Sequence, residues 1–173
     1  MNPGGRSQAH GTPLAGIRLL VLDVDGVLTD GRLYFGPEGE ALKVFHVRDG
    51  HGLKLLQASG LPLAVVSGRR AAAVDARMRE LGIATVHQGV ADKVAVVKDI
   101  AAAANIPLAA VACITDDTTD LPLMAAVGLA VAVADAHPEV LAAAHHVTTL
   151  PGGQGAVRQL CDALLAVRRE AAT

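Results

Sequence analysis

Asp23 and Asp25 stand two residues apart in the segment Asp23-Val-Asp-Gly26, directly after the largely apolar run at 17–22. A short apolar run of this kind reads as a buried strand. Where such a strand opens into a loop, residues i and i+2 face the same side. Two carboxylates so placed can divide one reaction, the first attacking phosphorus and the second protonating the leaving oxygen. A close pair of negative oxygens also attracts a hard divalent cation, which points to Mg²⁺. Two solvated aspartates capping a turn are the plain alternative, and the strand in front of them favours chemistry.

Three later segments supply what that reaction lacks. Ser67-Gly68-Arg69-Arg70 offers a hydroxyl and loop amides for phosphate oxygens. Lys93 offers an ammonium that neutralises both the nucleophile and the transferring group, and Asp116 completes a metal site with Asp23 and Asp25. Each has an ordinary reading as well. Ser67 can cap a helix. Lys93 can be a surface residue, although a cation in a helix's first turn opposes the macrodipole. Asp120, ahead of Leu121-Pro122, suits an N-cap as well as support of a metal loop. The four segments taken together favour the catalytic reading.

The elements that must position these groups alternate. Strand-like runs fall at 17–22, 63–66, 83–87, 110–114, 129–133 and 146–148, with helical patterns at 52–59, 71–81, 93–104, 121–127, 138–144 and 155–169. That alternation predicts an α/β fold, a doubly wound and mostly parallel sheet with helices on both faces and its sites at the carboxyl ends of the strands. Residues 32–46 break the rhythm and read as a β-hairpin around Gly36-Pro-Glu-Gly39. All the aromatic residues, Tyr34, Phe35 and Phe45, lie there, which predicts a subunit interface.

Composition bounds the rest. The chain is 51% hydrophobic with 173 residues, enough for one cored domain at 15–173 behind a loose tail at 1–14. A net charge of −2 argues against nucleic-acid or membrane-surface binding. Cys113 and Cys161 read as small core residues, and no apolar stretch spans a bilayer, so a cytoplasmic protein is expected.

The order and spacing of Asp23, Asp25, Ser67, Lys93 and Asp116 resemble the haloacid dehalogenase superfamily. A closer likeness carries through Asp23-Val-Asp-Gly-Val-Leu-Thr-Asp-Gly31, Phe45-His-Val-Arg-Asp-Gly50, Gln88-Gly89, Val131-Ala-Val-Ala-Asp-Ala-His-Pro138 and Gly152-Gly-Gln-Gly-Ala-Val-Arg158. These segments are similar to the 3-deoxy-D-manno-octulosonate 8-phosphate phosphatases, a capless branch. The resemblance implies a Mg²⁺-dependent phosphomonoesterase of lipopolysaccharide precursor synthesis, assembled as a homotetramer. It makes Asp23 the nucleophile and Asp25 the acid/base whose backbone carbonyl also ligates the metal. Ser67 and Lys93 become the phosphate ligands and Asp116 the metal carboxylate.

Only 42 positions separate Asp25 from Ser67 and 23 separate Lys93 from Asp116, so neither interval holds a large cap. A neighbouring subunit is then expected to cover the site, with the 152–155 loop and Arg158 near a site mouth. Gly68 and Arg69 should sit beside the phosphate, while Arg48, Arg69 and Arg70 are candidates for a sugar carboxylate. Thr115 departs from the family, where glycine commonly precedes Asp-Asp. If that position needs positive φ, a β-branched residue is strained there. Three alternatives stay open: a nine-carbon sugar acid 9-phosphate as substrate, a phospho-accepting signalling module, and a catalytically silent oligomer.

Overall fold

The computed structural model describes residues 14–170. In chain order the elements are β1 (Leu19–Leu22), β2 (Tyr34–Gly36), β3 (Gly39–Leu42), α1 (Val47–Ala58), β4 (Leu63–Ser67), α2 (Ala72–Leu81), β5 (Thr85–Gln88), α3 (Lys93–Ala103), β6 (Val111–Thr115), α4 (Leu121–Ala126), β7 (Leu129–Ala132), α5 (Pro138–Ala143), β8 (His146–Val147) and α6 (Ala156–Glu170). Six strands form one parallel sheet in the order β5-β4-β1-β6-β7-β8. The order reverses between β4 and β6 around β1, and a crevice at the carboxyl ends belongs at such a reversal. β1, β4, β6 and β7 are buried along their whole length, as strands covered on both faces must be.

The predicted alternation holds, with most boundaries moved by one or two residues. The large difference is α1, which begins at Val47 and not at 52. Gly50 and Gly52 discourage a helix on propensity. Packing reverses that: a side chain at Gly50 would run into Arg77, and one at Gly52 into Arg158 and Cys161. The glycines let α1 lie close to α2 and α6, which it contacts. Cys113 and Cys161 are buried free thiols, as expected, and burial pushes each up to about 12.

β2 and β3 form a separate antiparallel pair. Its aromatics do not act as one set. Phe45 packs partly buried against the core, whereas Tyr34 and Phe35 stay exposed, Phe35 at 67%. Residues 1–13 of the predicted tail lie outside the described residues. Leu14, its last member, opens a short 3₁₀ turn and packs on the core. Among the described residues no helix is long and apolar enough to cross a membrane.

Candidate active site

The carboxyl ends of β1, β4 and β6, with the start of α3, enclose a cleft of about 420 Å³. Asp23, Asp25, Ser67, Gly68, Arg69, Lys93 and Asp116 all line it. Asp23 leaves β1 still held to the sheet, its amide donating to the Ile114 carbonyl at 3.2 Å. Gly26 then turns the chain with φ +77°, and a Cβ there would overlap the Asp116 carboxylate. Glycine is therefore required twice, for its dihedral and for the approach of β6's loop. Thr29 secures the turn from within: its hydroxyl oxygen accepts from the amides of Gly26 and Gly31. Gly152 and Gly153 close it from behind, where a side chain on either would strike the backbone of Gly26 or Thr29. The 152–155 loop thus braces the turn that follows Asp23 and Asp25, with Gly153 donating to the Val27 carbonyl at 2.9 Å.

Lys93 opens α3, against the macrodipole, and the reason is in its contacts. Its ammonium lies 3.0 Å from Asp23 Oδ1, 2.7 Å from Asp120 Oδ1 and 2.8 Å from Asp120 Oδ2. Burial lowers the affinity of that amine for its proton, but Asp23 and Asp120 outweigh burial and the net shift is upward. The N-terminus of α3 is capped by Asp92, which accepts from the Ala95 amide. Asp120 stands at the N-cap position of α4, yet its side chain makes no capping bond. It turns to Lys93 and Thr115 instead, so of the two roles open to it from sequence, capping is not the one it takes. Ser67 does not cap α2 either: its hydroxyl oxygen accepts from the Arg69 amide, and the cap position belongs to Ala71.

Two acidic groups remain undercompensated. Burial is the main cause of a rise in Asp23 to about 6, with Lys93 opposing and Asp120 adding to it. Asp116 rises to about 7, first from burial, then from Asp23, Asp117 and Asp120. Negative charge accumulating on two converging carboxylates is the electrostatic condition for a dication. Among the described residues no three acidic, His or Cys side chains form a complete metal cage. Mg²⁺ does not need one, since it binds through one or two carboxylates and keeps several waters. The donor set of Asp23, Asp116 and the Asp25 backbone carbonyl fits that habit.

The arginines divide. Arg69 sits in the cleft, its Nε 3.5 Å from Asp25 Oδ2 and its Nη2 3.0 Å from Glu40 Oε2. Arg70 donates to the Gln88 carbonyl. Arg48 and Arg158 are not among the residues lining the cleft; both line a separate hollow beside Thr149 and Gln159. Arg158 pairs with Asp162, and its amide donates to Asp49 at 2.7 Å. Sequence reading missed Lys43 and Glu40. Lys43 runs from the hairpin to Asp25 Oδ1 with its side chain 2% exposed, and lies 2.6 Å from Glu40 Oε1. The available signal was a lysine set among Leu42, Val44 and Phe45, where a solvated side chain is unexpected.

The condition for strain at Thr115, a positive φ, is not met. Asn105 has the only positive φ outside glycine among the described residues. Thr115 is the last residue of β6, in register with Ala132, fully buried, and its hydroxyl donates to Asp120 Oδ2 at 2.6 Å.

Comparison with known proteins finds relatives over most of the chain. A family model described as haloacid dehalogenase-like hydrolase matches residues 84–159. The 3-deoxy-D-manno-octulosonate 8-phosphate phosphatase of Yersinia pestis is 49% identical, over 87% of this chain and 81% of the relative. Among solved structures, that phosphatase from Moraxella catarrhalis, in complex with magnesium, phosphate and a KDO molecule, superposes with a TM-score of 0.87. It is 37% identical, over 91% of this chain and 90% of that one. The cobalt-bound form of the Haemophilus influenzae phosphatase gives a TM-score of 0.88 at 40% identity, over 91% of this chain and 92% of that one.

Proposed function

The chain belongs to the haloacid dehalogenase-like hydrolases, within the 3-deoxy-D-manno-octulosonate 8-phosphate phosphatase family, and from that premise we propose that it hydrolyses this sugar acid phosphate to the free sugar acid and phosphate. The observation that carries the proposal is the meeting of Asp23, Asp25, Lys93 and Asp116 in one cleft. Asp23 attacks phosphorus and the bridging P–O bond breaks, leaving an aspartyl phosphate. Asp25 gives its proton to the departing sugar oxygen. Asp25 then takes a proton from water, which attacks phosphorus and returns Asp23 with inorganic phosphate. Lys93 and Ser67, with the amides after Ser67, hold the non-bridging oxygens; Lys43 and Arg69 hold Asp25 in place. Bound at Asp23, Asp116 and the Asp25 carbonyl, Mg²⁺ supplies charge neutralisation for the phosphoryl oxygens.

A phosphate-release screen over sugar acid phosphates tests this reading. The eight-carbon substrate should lead, with multiple turnovers that stop on chelation; preference for a nine-carbon acid 9-phosphate would move the assignment within the family. A stable phosphoprotein without turnover would indicate a signalling module. Metal binding has its own readout. Asp23 and Asp116, raised to about 6 and about 7, hold protons at pH 5 and have lost them by pH 8. Mg²⁺ should therefore raise the melting temperature more at pH 8 than at pH 5, because it must displace those protons at the lower pH.

Assembly with copies of the same chain, as a tetramer, belongs to the same proposal. Leu33, Phe35, Leu42, Val44 and Val47 are exposed on and beside the hairpin, Val47 at 75%. Clustered apolar exposure of this kind marks an interaction surface. Phe35→Asp should shift the protein to a smaller species in light scattering while leaving the subunit's circular dichroism unchanged. An unchanged mass would place the interface elsewhere.

A further inference from the structure

We infer that the Thr115 hydroxyl is a positioning group for the reaction: it fixes Asp120, and through Asp120 holds the Lys93 ammonium against Asp23. The inference rests on the phosphatase reading above and adds to it a residue that the family resemblance marked only as a departure. The Asp120 carboxylate is 2% exposed and is turned inward from its 3₁₀ turn, away from the helix that follows. Lys93 lies 2.7 Å from Oδ1 and 2.8 Å from Oδ2, but it hydrogen-bonds only to Oδ2, which leaves Oδ1 without a hydrogen bond. A carboxylate held by one ammonium through a single hydrogen bond can exchange its two oxygens by turning about its own axis without losing that partner. The hydroxyl on Oδ2, at 2.6 Å, removes the freedom, because a hydrogen bond to an ionised oxygen is both short and directional.

Thr115 can do this because it does not move. It ends a fully buried strand, in register with Ala132, and its backbone carbonyl accepts from the Val133 amide at 3.2 Å. A β-branched side chain in a strand also has few rotamers. The chain of contacts then runs from a rigid strand end through Thr115 Oγ1, Asp120 and Lys93 Nζ to Asp23 Oδ1 at 3.0 Å. Glycine at 115 offers no donor to that chain. The substitution is thus a gain of a contact, and restoring glycine should slow the enzyme.

The test compares Thr115→Val, close in shape without the hydroxyl, with Thr115→Ser, which keeps it. Thr115→Val should lower kcat about ten-fold, the scale of one lost hydrogen bond to a charged group, with KM within about two-fold of wild type. Thr115→Ser should recover most of the loss, and Thr115→Gly should resemble Thr115→Val. In a Lys93→Met background, Thr115→Val should lower kcat no further, while any purely structural cost persists in the melting temperature. If Thr115→Val does not fold, Thr115→Ala against Thr115→Ser carries the same comparison. An active wild type matched by Thr115→Val, a Ser variant as slow as Val, or a loss confined to KM would overturn the positioning role alone. A wild type that turns over no phosphomonoester would overturn the phosphatase reading itself.

Discussion

Asp23→Asn is expected to lower turnover by about 10⁴-fold or more, because it removes the proposed nucleophile and with it the covalent intermediate. The fold should survive. Asn has nearly the same shape, Lys93 keeps Asp120 as a partner, and the Asp23 amide stays bonded to the Ile114 carbonyl. Removing one charge also relieves Asp116, whose proton affinity Asp23 helps to raise. The melting temperature should therefore change little while activity vanishes. The intermediate gives a second, independent measurement. Borohydride reduces an acyl phosphate to an alcohol, so quenched wild-type enzyme should carry homoserine at position 23. Asp25→Asn should slow both the formation and the breakdown of that intermediate, since it removes the acid of the first step and the base of the second. Near-full activity in Asp23→Asn, or homoserine at another aspartate, would reassign the nucleophile.

How much of this could be read from sequence depended on whether local or distant neighbours decide a residue's role. The parallel strands were legible because runs such as Leu63–Ser67 and Val111–Thr115 are buried on both faces and so are continuously apolar. Asp23, Ser67, Lys93 and Asp116 were legible because each sits where a strand ends or a helix starts, and topology brings those points together. The start of α1 was not legible. Gly50 and Gly52 look like breakers until α2 and α6 are seen against them. Lys43 was hidden for a related reason: its partner Asp25 is 18 residues away, across a hairpin turn that hydrophobic periodicity does not orient. Thr115 and Asp120 were left open by rules that are sound locally. A β-branched residue fails only at positive φ, and an aspartate before Leu-Pro caps a helix only if nothing stronger competes. Here a buried ammonium 27 residues away competes and wins.

The hairpin changes how an uncapped site is completed. Among the described residues no inserted domain covers the cleft, yet Asp25 is held by Lys43 from β3's exit and by Arg69, which also binds Glu40 on β3. Glu40 is lowered below the usual carboxylate range, first by its bond to Lys43, so it stays ionised between these two cations. The element that exposes Phe35 therefore also positions the proposed acid/base. Under the proposed assembly, disturbing the hairpin acts on both at once, which is why the Phe35→Asp test reads mass and not activity.

Lys93→Met should be the most damaging change after loss of the nucleophile, and its signature is a joint effect on rate and stability. Turnover should fall about 10³-fold, as expected when a preorganised positive group is taken from a transition state that spreads negative charge over phosphoryl oxygens. Stability should fall by about 2–3 kcal/mol at neutral pH, below the usual cost of breaking a buried pair because the stranded carboxylates can take up protons. The pH dependence follows from that uptake. Lys93 lowers the proton affinity of Asp23, so its removal raises a carboxyl already at about 6. A carboxyl whose folded pKa is raised contributes stability below its unfolded value, and the contribution is lost as pH rises through the folded value. The variant should therefore lie closer to wild type in denaturant midpoint at pH 5 than at pH 8. A penalty that is equal at both pH values, with turnover intact, would reduce Lys93 to a structural ion-pair partner that takes no part in the reaction.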